Sequence, residues 1–288
     1  ATITANTLTL SGAGGSTIDV ASGLTATVNS ILGGTAALIK NGSGTIITGG
    51  GSGNTHTGAV TINDGVFEIA KTGFVGGIDN AAAVTVAASG TLRLNGAAAY
   101  TQETIGSLSG AGSVTNVGAA AVNLVIAGAA STAFSGTITN GTNALNLVKN
   151  TGAGTLTLSG ANSYTGTTTI STGAINIQNA TALGTTAGGT TVASGAALEL
   201  QGNIAVGAEA LTIAGTGVGN NGALRNISGT NSYAGNLTLT AATEIQSDAG
   251  TMTLSGSISG ATFGLTFDGA GNTTVSGVIG TTTGTVTK

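Results

Sequence analysis

The chain has 288 residues, of which 52 are Gly and only 6% are charged, with no Pro, no Cys, a single His and a formal net charge of −4. Its six Lys and Arg are scattered and form no basic patch, which excludes the clustered cations that nucleic-acid binding requires. An apolar content of 40%, with Val, Ile, Leu and Thr recurring throughout, excludes a disordered chain despite the many Gly and Ser.

Short strands separated by glycine turns run the length of the chain. Ile3, Leu8 and Leu10 already read as strand residues. The first clear unit is Val60-Thr61-Ile62-Asn63-Asp64-Gly65-Val66-Phe67-Glu68-Ile69. Val84-Thr85-Val86 followed by Gly90-Thr91-Leu92-Arg93-Leu94 repeats it, as do Thr168-Thr169-Ile170 with Gly173-Ala174-Ile175-Asn176-Ile177, and Thr190-Thr191-Val192 with Gly195-Ala196-Ala197-Leu198-Glu199-Leu200. Leu211-Thr212-Ile213-Ala214-Gly215 opens a further copy. The turn glycines fall at Gly65 and Gly90, and again at Gly173, Gly195 and Gly215. A unit of roughly 20–25 residues, recurring many times, is the signature of a solenoid.

Alternation of apolar with small or polar residues places Leu156, Leu158, Ile170, Leu198 and Leu200 inward, and Thr157, Thr169 and Glu199 outward. Glycine at each turn supplies positive φ for a tight corner. Gly also interrupts every window long enough for a helix, so helix content is expected to be near nil. The expected fold class is therefore all-β: a right-handed parallel β-helix (β-solenoid) of roughly 13–14 rungs. Parallel strands about 4.8 Å apart would give a rod roughly 60–65 Å long. Residues 1–288 are expected to form a single continuous solenoid segment of a longer surface protein, because both ends read as rungs without a polar cap.

A longer repeat lies above the rung. Leu38-Ile39-Lys40-Asn41-Gly42 matches Leu147-Val148-Lys149-Asn150-Thr151-Gly152, with Lys40 and Lys149 at the same place in each copy. Asn54-Thr55-His56-Thr57-Gly58 aligns with Asn162-Ser163-Tyr164-Thr165-Gly166 and with Asn231-Ser232-Tyr233-Ala234-Gly235. The run from Gly152 to Ile170, followed by Gly173-Ala174-Ile175-Asn176-Ile177 and Ala182-Leu183-Gly184, resembles the passenger-associated repeat of bacterial autotransporters. The clearest copy spans 147–200, with degenerate copies at 38–95 and 224–258. This resemblance implies a β-helix displayed outside a Gram-negative cell, with an outer-membrane barrel lying beyond this segment. Lack of Cys and Pro suits such a chain, which must cross a membrane unfolded without premature disulfides or slow prolyl isomerisation.

Chemistry-bearing residues are few. His56 aligns with Tyr164 and Tyr233, which points to a packing position, and no nucleophile elbow accompanies it. Asp64 and Glu68, four apart, share a side only if no bulge intervenes, and the other carboxylates read as solvated corners. Gly49-Gly50-Gly51-Ser52-Gly53-Asn54 lacks the Lys-Ser/Thr and helix of a phosphate loop and reads as a wide corner. Tyr164 and Tyr233 read as caps on the core at a corner. Thr-x-Thr pairs at 7/9, 155/157, 167/169, 238/240 and 251/253 would face outward, as in ice-binding solenoids, but their spacing is irregular. The expectation is a secreted structural or adhesive rod with no catalytic, cofactor or metal residues and no cofactor. Its alternatives are a β-helix enzyme that binds or cleaves polysaccharide and, below that, an ice-binding solenoid. Expected partners are copies of itself, stacked end to end or laterally, and a glycan or other cell-surface ligand, with no nucleic acid.

Overall fold

A computed structural model describes residues 1–3, 7–73 and 76–288. Among these residues every element is a β-strand except one 3₁₀ turn at Val218–Asn220. Every strand pairing with a stated direction is parallel, so the all-β parallel solenoid read from the sequence is the observed fold. No helix among the described residues is long and apolar enough to cross a membrane.

The chain forms two compact units, 1–128 with 132–147, and 129–131 with 148–288. In the first unit one face begins with Thr2–Ile3, Thr25–Val28 and Thr45–Thr48. It continues through the second halves of Val60–Ile69 and Ala83–Leu94 to Ser113–Asn116 and Thr137–Thr139. From Thr25 onward the partners Thr45, Val66, Thr91, Ser113 and Thr137 follow one another turn by turn. Alternate residues on this face turn inward, and Ile46, Phe67, Leu92, Val114 and Ile138 stack as one fully buried column. A second face stacks Leu38, Val60, Val84 and Leu108 in the same way. The strand Val60–Ile69 serves both faces because it turns a corner at Gly65, whose φ is 68°.

The second unit repeats the plan. Leu156, Ile175, Leu198, Leu224, Ile245 and Phe267 form its inward column, one residue from each turn. A second column runs Ile170, Val192, Ile213, Leu239. Each fully buried aliphatic side chain contributes roughly 1.5–3 kcal/mol, and stacking turn on turn provides the burial that one turn alone lacks.

Turn length varies more widely than the glycine spacing implies, for a local reason. Along the inward column the step from Leu156 to Ile175 is the shortest and that from Leu198 to Leu224 the longest. Faces are held in register by the inward columns, so surplus residues are pushed into corners. The long step accommodates the Val218–Asn220 turn, with Gly219 at φ 65°.

The sequence assigns one role to turn glycine, and the structure reveals two. Gly65, Gly173, Gly195 and Gly215 do adopt positive φ, between 67° and 83°, whereas Gly90 does not, and a Cβ there would lie 2.4 Å from the Ile62 carbonyl oxygen. Gly235, Gly256 and Gly277 sit two residues before a strand and are needed for closeness instead: a Cβ on Gly256 would lie 2.0 Å from the Gly235 carbonyl oxygen, and one on Gly277 would lie 2.0 Å from that of Gly256. Successive turns thus touch backbone to backbone at this corner.

Candidate functional site

Outward columns form the surface that the fold offers. In the second unit Thr169, Thr191, Thr212, Thr238 and Ser259 stand one above another on five successive turns. Beside them, Thr230/Ser232, Thr251/Thr253 and Asn272/Thr274 stack in pairs over three turns. The other Thr-x-Thr pairs do not stack as pairs, since Thr155/Thr157 lie on Ala174/Asn176, and Thr7/Thr9 on Ile31/Gly33. Alternation explains their outward direction, whereas the neighbouring turn decides what each one stands beside.

Carboxylates depart from the solvated corners read from the sequence: Glu68, Glu103, Glu199 and Glu209 are all buried. Glu199 points outward as expected but is covered by partners from adjacent turns, with Arg225 Nη1 at 3.5 Å and Asn176 Nδ2 at 3.4 Å. Arg225 also pairs with Asp248 through Nε at 2.8 Å. Glu68 accepts from Arg93 Nη1 at 3.1 Å and from Asn95 Nδ2 at 2.7 Å. Asp64 lies at the Gly65 corner and accepts from the Gly65 N–H at 2.8 Å. Asp64 and Glu68 therefore have separate partners on either side of a corner.

His56, Tyr164 and Tyr233 are all buried, as their alignment implies. An imidazole nitrogen of His56 contacts the Ala36 carbonyl at 3.0 Å, and burial lowers its pKa. The Tyr164 hydroxyl is 2.7 Å from Thr168 Oγ1. Among the described residues the buried Tyr233 hydroxyl meets no hydrogen-bond partner. Burial, with the Glu209 charge adding to it, drives the Tyr233 pKa far upward. These two corners predict opposite signs for one change. Tyr164→Phe is expected to cost about 1 kcal/mol, whereas Tyr233→Phe is expected to be neutral or stabilising by up to about 1 kcal/mol, both read from thermal melting.

The asparagine preceding each of these aromatics is a staple that sequence reasoning aligned without assigning a role. Asn54 Oδ1 accepts from the Leu32 N–H at 3.0 Å, and its Nδ2 donates to the Gly77 carbonyl at 2.5 Å. Asn231 Oδ1 accepts from the Ile204 N–H at 2.7 Å, and Asn162 Nδ2 donates to the Ala182 carbonyl at 2.6 Å. Partners of Asn54 lie one turn before it and one turn after it, so one side chain ties three turns together.

Lysines plug the corners. Lys40 is fully buried and donates to the carbonyls of Asn41, Gly42 and Asp64, at 2.8, 2.6 and 3.1 Å. Lys149, at the matching place in the long repeat, donates to those of Thr151 and Gly152. Burial lowers the pKa of each, and in Lys40 the nearby Asp64 and Asp19 charges oppose the drop. A third lysine, Lys71, reaches the Gly49 and Ser52 carbonyls at 2.7 and 3.0 Å and Asn54 Oδ1 at 3.2 Å. The glycine-rich run 49–54 is thus a corner, as read, but one closed over a buried cation.

Glu103 shares this region and is wholly buried. Its carboxylate accepts from the Gly77 and Ile78 N–H groups at 2.9 and 2.7 Å and from the Tyr100 hydroxyl. Burial pushes its pKa up to about 7, although the three donors and Lys71 pull the other way. Unfolded, this carboxyl titrates near 4.5, so between there and about 7 folding takes up a proton. Stability conferred through Glu103 is therefore fully present below the unfolded pKa and falls as pH rises through about 7. Denaturant unfolding of the native chain from pH 4.5 to 7.5 should show that decline, and Glu103→Gln should flatten it.

The clefts among the described residues include one of about 740 Å³ in the first unit, lined by Leu10, Gly15, Gly34 and Ala37. One of about 350 Å³ in the second unit is lined by Asn162, Thr181, Leu183, Thr186, Val206 and Glu209, whose Oε1 accepts from Thr190 Oγ1 at 3.0 Å. No group of three or more His, Asp and Glu able to hold a metal occurs among the described residues.

No curated protein and no solved structure matches the chain. The passenger-associated-transport-repeat family model matches residues 38–69 and 150–177, which fall within the first two copies of the long repeat and contain the Asn54/His56 and Asn162/Tyr164 corners. The chain is thus a parallel β-solenoid with two segments that match the passenger-associated-transport-repeat.

Proposed function

We propose that the chain works outside the cell as a structural element of an autotransporter-like passenger, a non-enzymatic stalk that displays itself and holds cells or copies of itself together. The observation that carries this reading is the division of labour among side chains. Outward positions of the second unit carry ladders of Thr, Ser and Asn, whereas the groups suited to chemistry have structural partners: His56 a carbonyl of the preceding turn, Glu68 and Glu199 arginines of the next, and Asp64 the N–H of its own corner. A periodic hydroxyl surface supports many weak contacts, whose sum gives attachment without a pocket.

Expressing the chain as the passenger of an outer-membrane barrel tests the proposal. The expected result is antibody-accessible chain on the cell surface and faster settling of the cell suspension. Display without faster settling would overturn self-association in favour of a passive spacer, and failure to reach the surface would overturn the export reading. Turnover of a polysaccharide that Asp64→Asn or His56→Ala abolishes would replace it with an enzymatic function.

A further inference from the structure

We propose that Lys71 and Asn54 join covalently in the folded protein through an isopeptide bond, with Glu103 positioning the leaving amide through Gly77. Lys71 Nζ lies 3.2 Å from Asn54 Oδ1. The amide carbon sits one C=O bond beyond, about 1.23 Å, so the amine needs only a small side-chain shift to reach attacking distance. The Leu32 N–H already donates to Oδ1 at 3.0 Å, where negative charge develops when the carbonyl is attacked. Asn54 Nδ2, the leaving group, is held by the Gly77 carbonyl at 2.5 Å, and the N–H of the same Gly77 donates to Glu103 Oε2 at 2.9 Å. Carboxylate and amide are thus fixed on the two sides of one residue. Gly77 itself has no room for a side chain, since a Cβ there would lie 2.2 Å from Ile69 Cγ2.

Electrostatics favours the same chemistry. Burial lowers the Lys71 pKa, which makes its free amine more accessible, and the charge opposing that drop is Glu103. The Lys71 ammonium gives one proton to solvent, and the free amine adds to Asn54 Cγ. As the tetrahedral centre collapses, the Cγ–Nδ2 bond breaks. Nδ2 takes the proton that Nζ sheds and departs as ammonia. In solvent the ammonia takes up a proton to become ammonium, which balances the one lysine released. One C–N bond replaces another, nothing is oxidised, and no further reactant is needed.

The other buried lysines set a contrast. Lys40 and Lys149 donate to main-chain carbonyls at corners, where attack would have to cut the chain. Beside Lys71 a side-chain amide offers a leaving amine, and the main chain stays whole.

Intact-mass spectrometry of the full folded chain decides the matter. The expected mass is one ammonia below that of the sequence, and a tryptic map should show cleavage blocked at Lys71 and a single looped peptide, 41–93, one ammonia below its sequence mass. Asn54→Ala and Lys71→Arg should each restore the full sequence mass. Glu103→Gln, with its fold checked by circular dichroism, should slow conversion about tenfold or more, and Glu103→Asp should recover part of the rate. A native chain that is folded yet keeps its full mass overturns the proposal, and so does an ammonia loss that maps to an Asn-Gly pair such as Asn41-Gly42. Unchanged conversion in Glu103→Gln overturns the positioning role of Glu103.

Discussion

Gly256→Val is expected to destabilise the second unit by about 3 kcal/mol or more, because the added atoms would meet backbone. A Cβ at this position would lie 2.0 Å from the Gly235 carbonyl oxygen, 2.4 Å from its carbon and 2.8 Å from the Asn236 nitrogen. A flexible side chain could swing aside, whereas these atoms belong to the adjacent turn, whose position the inward columns fix. Relief would require separating two turns that pair on the neighbouring strands Leu237–Ser247 and Ile258–Ser259. Gly195→Ala is the control: its φ of 83° also disfavours a side chain, but nothing lies within 4 Å of the new atom. Strain alone should cost about 1–2 kcal/mol there. Urea unfolding of the two variants separates crowding from backbone strain, and equal losses would show that the close approach of turns is unimportant.

Asn231→Leu should cost a comparable amount, about 3–5 kcal/mol, through polar groups left unpaired. Leucine keeps the branching and heavy-atom count of asparagine, so no cavity opens and the loss is chiefly one of hydrogen bonds. Three partners would be stranded: the Ile204 N–H, the Ser228 carbonyl and Asn226 Oδ1, bonded at 2.7, 2.8 and 2.5 Å. Asn226 is itself tied to Ser247 Oγ at 3.0 Å and to the Ala249 carbonyl at 2.9 Å, so the damage spreads within one buried network. Combining Asn231→Leu with Asn226→Leu should cost less than the sum of the single changes, since the first already strands the second. Strict additivity in a double-mutant cycle would show that the two asparagines act independently.

The parallel solenoid was legible in the sequence because it depends on alternation, a property each strand carries alone. Leu156 and Leu158 point inward whichever turn lies next to them. Burial of His56, Tyr164 and Tyr233 was legible for a related reason, since three aligned positions that accept only ring side chains describe one site.

What could not be read are relations between turns. Whether Arg225 stands beside Glu199 depends on the length of the turn between them, which is set by a corner excursion invisible to strand patterning. The same holds for Glu103, whose partners Gly77, Ile78 and Tyr100 come from different parts of the path. Solvated corners were a sound prior for isolated carboxylates, and stacking overturned it by placing partners above and below them. The close-packed glycines carried a weak signal, a Gly two residues ahead of a strand in Gly58, Gly235, Gly256 and Gly277, but only the adjoining backbone explains why it must be Gly.

Corner-borne length variation has a consequence for how such a chain can change over generations. Each layer meets the next through the same kinds of contact, so copying or excising one whole layer recreates a junction like those already present. Slippage or recombination between the stretches that begin near Lys40 and Lys149 would lengthen or shorten the protein by complete layers. A gene of this kind can therefore tune its reach in discrete steps, while a shift of one residue inside a strand would turn its buried side chains out to water.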